Sequence, residues 1–181
     1  VVTNSGGAGV LLADRCEEHE LQLPTLAKAT TLQLQELIPE YGSLANPVDV
    51  TAQVSSDPQR MNRVLTILLN SPDLDQLILS RGSVVGKPGL AWAQEFVEVA
   101  KSSDKPVLVH MSPDQAEETV QVLDDNRLPW YPTPGRAVTA AAALHEFWDK
   151  LERHRAQVSR LLPPKAIAWP TTDGPLNEHA S

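Results

Sequence analysis

The sequence has little of what several classes of protein need. Its 181 residues include one cysteine, Cys16, which excludes an intrachain disulfide and a cysteine metal cluster. Acidic residues number 23 against 15 basic ones, and no basic run occurs, so nucleic acid is not an expected partner. No apolar stretch approaches the roughly 20 residues that cross a bilayer, and no signal peptide precedes the first apolar segment. We therefore expect a protein of the cytoplasm without a membrane partner.

Motifs that carry catalysis or bind metals are also missing. The five histidines show no metal-ligand spacing, and the chain contains neither His-Glu-x-x-His nor Gly-x-Ser-x-Gly. Cys16 shares the apolar face of the first predicted helix with Leu12, which favours a buried structural thiol over a nucleophile. His110 follows a predicted strand, yet nothing else in the sequence supports a catalytic role for it. The sequence thus predicts no catalytic residue and no metal site.

Strand and helix patterns alternate along the chain, which is typical of a parallel sheet covered by helices. We expect an α/β fold, a flavodoxin-like doubly wound parallel five-stranded sheet in three α/β/α layers. Asn46-Pro47-Val48-Asp49-Val50 is interpreted as an extended turn between elements. The five predicted strands lie at residues 1–3, 21–23, 77–79, 107–109 and 129–131.

Capping residues and apolar periodicity predict the helices. Asp57 caps a helix that has Pro58 at its first position, and Ser112 followed by Pro113 predicts a second capped helix that runs to about residue 123. Further helices are expected over 30–38, after the loop 80–89 as far as residue 100, and over 136–154. Beyond residue 158 the composition becomes rich in proline, so we expect one domain at 1–157 and a linker at 158–181.

The opening stretch, VVTNSGGAGVLLAD, joins a short apolar strand to a helix through a glycine-rich turn. No Gly-Lys-Ser/Thr follows, so it is not a P-loop, and the third glycine of the dinucleotide fingerprint is absent. Gly6, Gly7 and Gly9 permit positive φ and leave room for a ligand, while backbone N–H groups at a helix N-terminus attract anions. A phosphate or carboxylate contact and a plain tight turn both remain open on these residues.

The predicted topology gives this turn its neighbours. In doubly wound sheets ligands bind beyond the carboxyl ends of the strands. The turn at 4–9, the segment 46–49 and the loop after the third strand are all expected at that edge. The candidate binding residues are Asn4, Ser5, Gly6, Gly7, Ala8, Gly9, Asn46, Pro47, Asp49, Gly82 and Ser83.

With these motifs in view, residues 1–155 resemble a known family. VVTNSGGAGVLLAD followed by ANPVDVT, a helix and an apolar strand is similar to the third domain of the α-type region of NDP-forming acyl-CoA synthetases, in the succinyl-CoA synthetase superfamily. Residues 4–9 match the first family motif, and Asn46, Pro47 and Asp49 match the second. The loop with Arg81 departs from the family pattern, being longer and more charged.

The resemblance implies a role within a larger enzyme. Such enzymes convert acid, CoA and ATP to acyl-CoA, ADP and phosphate through an acyl phosphate and a phosphohistidine, with Mg. It implies CoA-binding, phosphohistidine and ATP-grasp domains as partners, and no cofactor in this chain. The domain 1–157 would be the flavodoxin-like CoA-ligase domain, excised and inactive alone, with 158–181 leading toward an ATP-grasp domain. A stand-alone flavodoxin-like ligand-binding or regulatory module is the alternative.

Overall fold

The computed structural model describes residues 1–82, 87–114 and 117–161. Its described part contains a five-stranded sheet in which every pairing is parallel and the order is β2-β1-β3-β4-β5, the flavodoxin-like doubly wound order. This confirms the predicted fold class. The strands are β1 (Val2–Thr3), β2 (Val48–Asp49), β3 (Leu77–Arg81), β4 (Val107–Met111) and β5 (Trp130–Tyr131).

The second strand is not where the sequence predicted it. Residues 21–23 form no strand; Leu21 and Leu23 instead pack, partly buried, beneath the first helix. The segment interpreted as a turn supplies β2, in which the Val48 N–H donates to the Val1 carbonyl at 2.9 Å and the Val50 N–H donates to the Thr3 carbonyl at 2.8 Å. Val48 and Asp49, which follow Asn46-Pro47, are too few to show a strand pattern of their own. Their strand structure depends on hydrogen bonds to β1, which is distant in the sequence.

Seven helices lie in the described part of the chain. Asp57 caps the fourth as predicted, since its Oδ1 accepts the Arg60 N–H at 3.0 Å. Pro113, predicted at the first position of the sixth helix, instead lies in a turn with residue 114; the described part of that helix begins at Glu117. The helices are α1 (Gly6–Glu18), α2 (Lys28–Gln35), α3 (Thr51–Ser55), α4 (Pro58–Asn70), α5 (Lys87–Lys101), α6 (Glu117–Asp125) and α7 (Pro134–Leu161).

Apolar side chains cover both faces of the sheet, as a parallel sheet requires. On one face Leu77 and Leu79 pack with residues of α2 to α6, among them Phe96. On the other face Ile78 and Leu108 pack against α1 and the first turns of α7. Because side chains alternate along a strand, consecutive residues of β3 belong to different cores.

The chain divides into two units, residues 1–145 and 146–181. Within the second unit, the described residues continue α7 and carry surface ion pairs such as Lys150–Glu146. The linker predicted at 158–181 stays a prediction, because residues 162–181 lie outside the described residues. Among the described helices, none combines the length and the apolarity that a membrane span needs.

Candidate functional site

Asn4 holds together three segments at the carboxyl edge of the sheet. Its Nδ2 donates to the Ser55 Oγ at 3.1 Å, and its Oδ1 accepts the Gly82 N–H at 3.3 Å. One side chain therefore links the end of β1 to α3 and to the first residue after β3. As β1 and β3 are neighbours in the sheet, this edge is the place where a doubly wound fold binds ligands.

The N-terminus of α1 begins at the same edge. Ser5 is the N-cap, with φ −145° and ψ 116°, but its side chain caps no N–H of the helix. The Gly9 N–H donates to the Ser5 carbonyl at 3.0 Å. Among the described residues, no acceptor bonds to the N–H groups of Gly6, Gly7 or Ala8. The N-terminus of α1 thus presents three polarised donors without an acceptor in the described part of the chain. A bound anion can accept hydrogen bonds from them.

The glycines of this turn do not use the left-handed conformation that the sequence permits. Gly6, Gly7 and Gly9 are all helical, and none has a positive φ. Space distinguishes them instead. A Cβ at Gly7 would meet nothing within 4 Å, whereas a Cβ at Gly9 would lie 3.2 Å from the Thr3 Cγ2. Gly9 thus lets α1 approach β1, and Gly7 leaves open space at the exposed end of the helix.

Asp49 reaches this helix end from β2. Its Oδ1 accepts the Thr51 N–H at 2.9 Å, and its Oδ2 would lie 3.3 Å from a Cβ at Gly6. A carboxylate here stabilises the partial positive charge of the helix N-terminus and opposes a second anion. Thr51 carries the turn with a φ of 68°, rare for a β-branched residue.

Asn46 lies at the opposite edge, so the expectation that all of 46–49 reaches the carboxyl edge is wrong for this residue. Its Oδ1 accepts from the Val1 backbone nitrogen at 2.8 Å, and its Nδ2 donates to the Pro24 carbonyl at 3.4 Å. Val1 and Asn46 come just before β1 and β2 in the sequence. Their contacts therefore lie at the edge where the chain enters both strands. Pro47 packs beneath α1, where its Cβ would be 3.6 Å from a Cβ at Gly9.

The carboxyl edge therefore gathers residues 4–8, Asp49 and Gly82, while Ser83 lies outside the described residues. Within the described part, no three histidine, cysteine or acidic side chains group as metal ligands would.

A partly buried Ser–His contact at this edge was not predicted from the sequence. Thr3, Ser80 and His110 stand side by side in register across β1, β3 and β4. The Ser80 Oγ and the His110 Nδ1 lie 2.8 Å apart, and burial lowers the pKa of His110. A polar residue at the same position of neighbouring apolar strands was the available signal, but it becomes visible only once the register is known.

This chain is similar to known proteins in its sequence. The Ligase-CoA domain model matches residues 1–152. The α subunit of an ADP-forming acetate–CoA ligase II from Pyrococcus furiosus is 31% identical over 149 residues, which cover 80% of this chain and 32% of that protein. An ADP-forming 4-hydroxybutyrate–CoA ligase from Nitrosopumilus maritimus is 25% identical over 93% of this chain and 24% of its own length.

The fold is also similar to that of a solved synthetase structure. The dinucleotide-forming acetyl-coenzyme A synthetase 1 of Candidatus Korarchaeum cryptofilum, in complex with phosphate and ADP, superposes with a TM-score of 0.70 and 26% identity, over 91% of this chain and 35% of that one. The chain spans about a third or less of the length of these relatives. It belongs to the Ligase-CoA domain family.

Proposed function

We propose that this chain acts as the Ligase-CoA domain of an NDP-forming acyl-CoA synthetase, and that the N-terminus of α1 binds the phosphoryl group in that enzyme. The observation that carries the proposal is the set of N–H groups at Gly6, Gly7 and Ala8, which have no acceptor among the described residues and lie at the ligand-binding edge. The ADP-forming ligases among the relatives support the reaction class.

The proposed chemistry needs a fixed positive potential rather than a nucleophile from this chain. The reaction converts acid, CoA and ATP to acyl-CoA, ADP and phosphate through an acyl phosphate and a phosphohistidine, so charge on a phosphoryl group must be stabilised as it is transferred. Backbone N–H dipoles held by a folded helix do this without reorganising. Asn4 fixes the start of α1 relative to α3 and β3, which keeps these donors in place.

Other parts of the proposed enzyme supply the remaining functions. CoA, ATP or ADP, and Mg are assigned to CoA-binding, phosphohistidine and ATP-grasp domains, with which this domain would pack. The cytoplasm is the proposed location, since ATP and CoA are available there. The Asp49 carboxylate lies beside the start of α1 and accepts the Thr51 N–H. Because its charge opposes a bound anion, Asp49→Asn is the variant that should bind phosphate more tightly.

The test compares two substitutions at Gly7 in the full-length enzyme. A Cβ at this position would meet nothing within 4 Å among the described residues, so Gly7→Ala creates no clash there, and Gly7→Val extends two methyl groups into the space beyond. The valine side chain would occupy the space in front of the N–H groups. We expect Gly7→Val to reduce phosphoryl transfer to the enzyme by up to about 100-fold, the order of losing one oxyanion donor, because its side chain hinders access to the N–H groups. Gly7→Ala should have a smaller effect.

Gly135→Val is the matched control, because Gly135 holds the same second position of α7 that Gly7 holds in α1. It should leave transfer unchanged. A Gly7→Val enzyme that melts normally and transfers phosphoryl groups at the wild-type rate would refute the proposed anion site.

A further inference from the structure

Arg81 is a charged residue buried at the end of a central strand. It is the last residue of β3 and exposes 7% of its surface. It lies two residues beyond Leu79, so it faces the core that β3 shares with α4 and α5. Its guanidinium carbon lies 4.5 Å from the ring centroid of Trp92 in α5. The sequence predicts this residue in the loop after the third strand, whereas it belongs to the strand itself.

The guanidinium has donors without acceptors. The Nε and Nη1 atoms of Arg81 are buried and have no hydrogen-bond partner among the described residues. No described carboxylate lies within 4.0 Å of it. The indole Nε1 of Trp92 is also buried and has no hydrogen-bond partner in the described part of the chain. Arg81 and Trp92, which contact each other, therefore both carry buried donors without acceptors.

A packing role does not account for this arrangement. Burial lowers the pKa of Arg81 to about 10, so the side chain is still protonated at neutral pH. The face of Trp92 compensates part of the lost hydration, as cation–π contacts do. An apolar side chain of similar length would fill the same space without any desolvation cost. What only the arginine offers is a positive charge with free donors at the carboxyl edge.

We propose that Arg81 is the cation of an oxyanion subsite at the carboxyl ends of β1 and β3, where it takes a carboxylate or phosphate group of a small ligand. The backbone next to it is already fixed, because the Gly82 N–H donates to the Asn4 Oδ1. Arginine suits both anions, since its planar donors match two oxygens at once.

This subsite does not depend on the proposed role of α1. Arg81 leaves the sheet on the side of α4 and α5, whereas α1 packs on the other side. The two proposals can therefore fail separately. Gly7→Val should leave binding at Arg81 intact, and Arg81→Met should leave binding at the N–H groups of Gly7 and Ala8 intact.

The experiment titrates the 181-residue chain with sodium phosphate and, separately, with sodium acetate at constant ionic strength. Arginine Nε–H signals are followed by NMR in the wild type, in Arg81→Met and in Arg63→Met, which replaces an exposed arginine of α4. We expect a saturable shift of the Arg81 signal with at least one anion. The indole Nε1–H signal of Trp92, which Arg81 touches, reports this subsite in every variant. Arg81→Met should weaken the saturable response of that signal to the anion by about tenfold or more, whereas Arg63→Met should not change it.

The two titrations also separate the sources of the anion. A response to phosphate alone assigns the subsite to a phosphoryl group, a response to acetate alone assigns it to a carboxylate, and either supports the proposal. An Arg81 signal that moves with neither anion overturns it. So does an undiminished response of the Trp92 indole signal in a folded Arg81→Met chain. Should that variant not fold, the wild-type Arg81 signal decides alone.

Discussion

Thr51 is the residue whose backbone is held furthest from its preference at the candidate site. Its φ is 68°, and its Oγ1 is buried without a hydrogen-bond partner among the described residues. Only glycine adopts this conformation without steric cost. We expect Thr51→Gly to be more stable than Thr51→Ala by about 1 kcal/mol, the reverse of the usual order in helices. Urea unfolding of both variants measures this difference.

Thr66 provides the control for that comparison, because it is exposed in the middle of α4. There the alanine variant should be the more stable one. If the alanine variant is also the more stable one at position 51, Thr51 does not have a left-handed backbone.

His110 makes stability depend on pH in a definite direction. Burial lowers its pKa from the usual 6.5, so below that pH the unfolded chain binds more protons than the folded one. The contribution of His110 to the free energy of unfolding is therefore fully present above about pH 6.5, and it is lost as the pH falls through the folded-state pKa. His110→Asn, which can still bond to Ser80, should show a smaller loss of melting temperature between pH 7.5 and 5.5. An equal loss in both proteins would contradict this, and the exposed His154→Asn serves as control.

At the scale of one element, α1 carries two glycines with opposite tolerances. A side chain at Gly9 would press on Thr3, and Gly7 has open space. We expect Gly9→Leu to lower the free energy of unfolding by about 1–3 kcal/mol, the usual cost of overpacking. Gly7→Ala should be as stable as the wild type or slightly more, because alanine is the better helix former. Chemical denaturation measures both, and a Gly9→Leu chain of wild-type stability would show that α1 does not approach β1 so closely.

How far the sequence predicted each element depended on whether its signals were local. The helix α4 was predicted well, because Asp57, Pro58 and a regular apolar stripe all lie within it. The strand β2 was missed, because two residues next to a proline acquire their structure from hydrogen bonds to β1.

The site divides in the same way. The turn at residues 4–9 was recognisable from its glycines, but its glycines proved to be helical. The position of Asn46, the Ser80–His110 contact and the burial of Arg81 all follow from strand register, which no local pattern records.

As a whole molecule, this chain is proposed to perform only one part of a reaction. It spans about a third or less of the curated ligases that it matches, and the proposed nucleotide and CoA sites lie on other domains. We expect the purified chain to form no acyl-CoA from acetate, CoA and ATP. A coupled assay that detects free CoA consumption measures this, and CoA- and nucleotide-dependent product formation by the chain alone would contradict the division of labour.

A phosphate titration of the ¹⁵N-labelled chain measures whether the N-terminus of α1 binds a phosphoryl group. We expect saturable shifts of the Gly7 and Ala8 amide signals, since these N–H groups have no acceptor among the described residues. The shifts should persist in Gly135→Val and be lost in a folded Gly7→Val. Amide signals of Gly7 and Ala8 that stay fixed as phosphate is added, or an Ala8 signal that shifts equally in Gly7→Val, would contradict this binding.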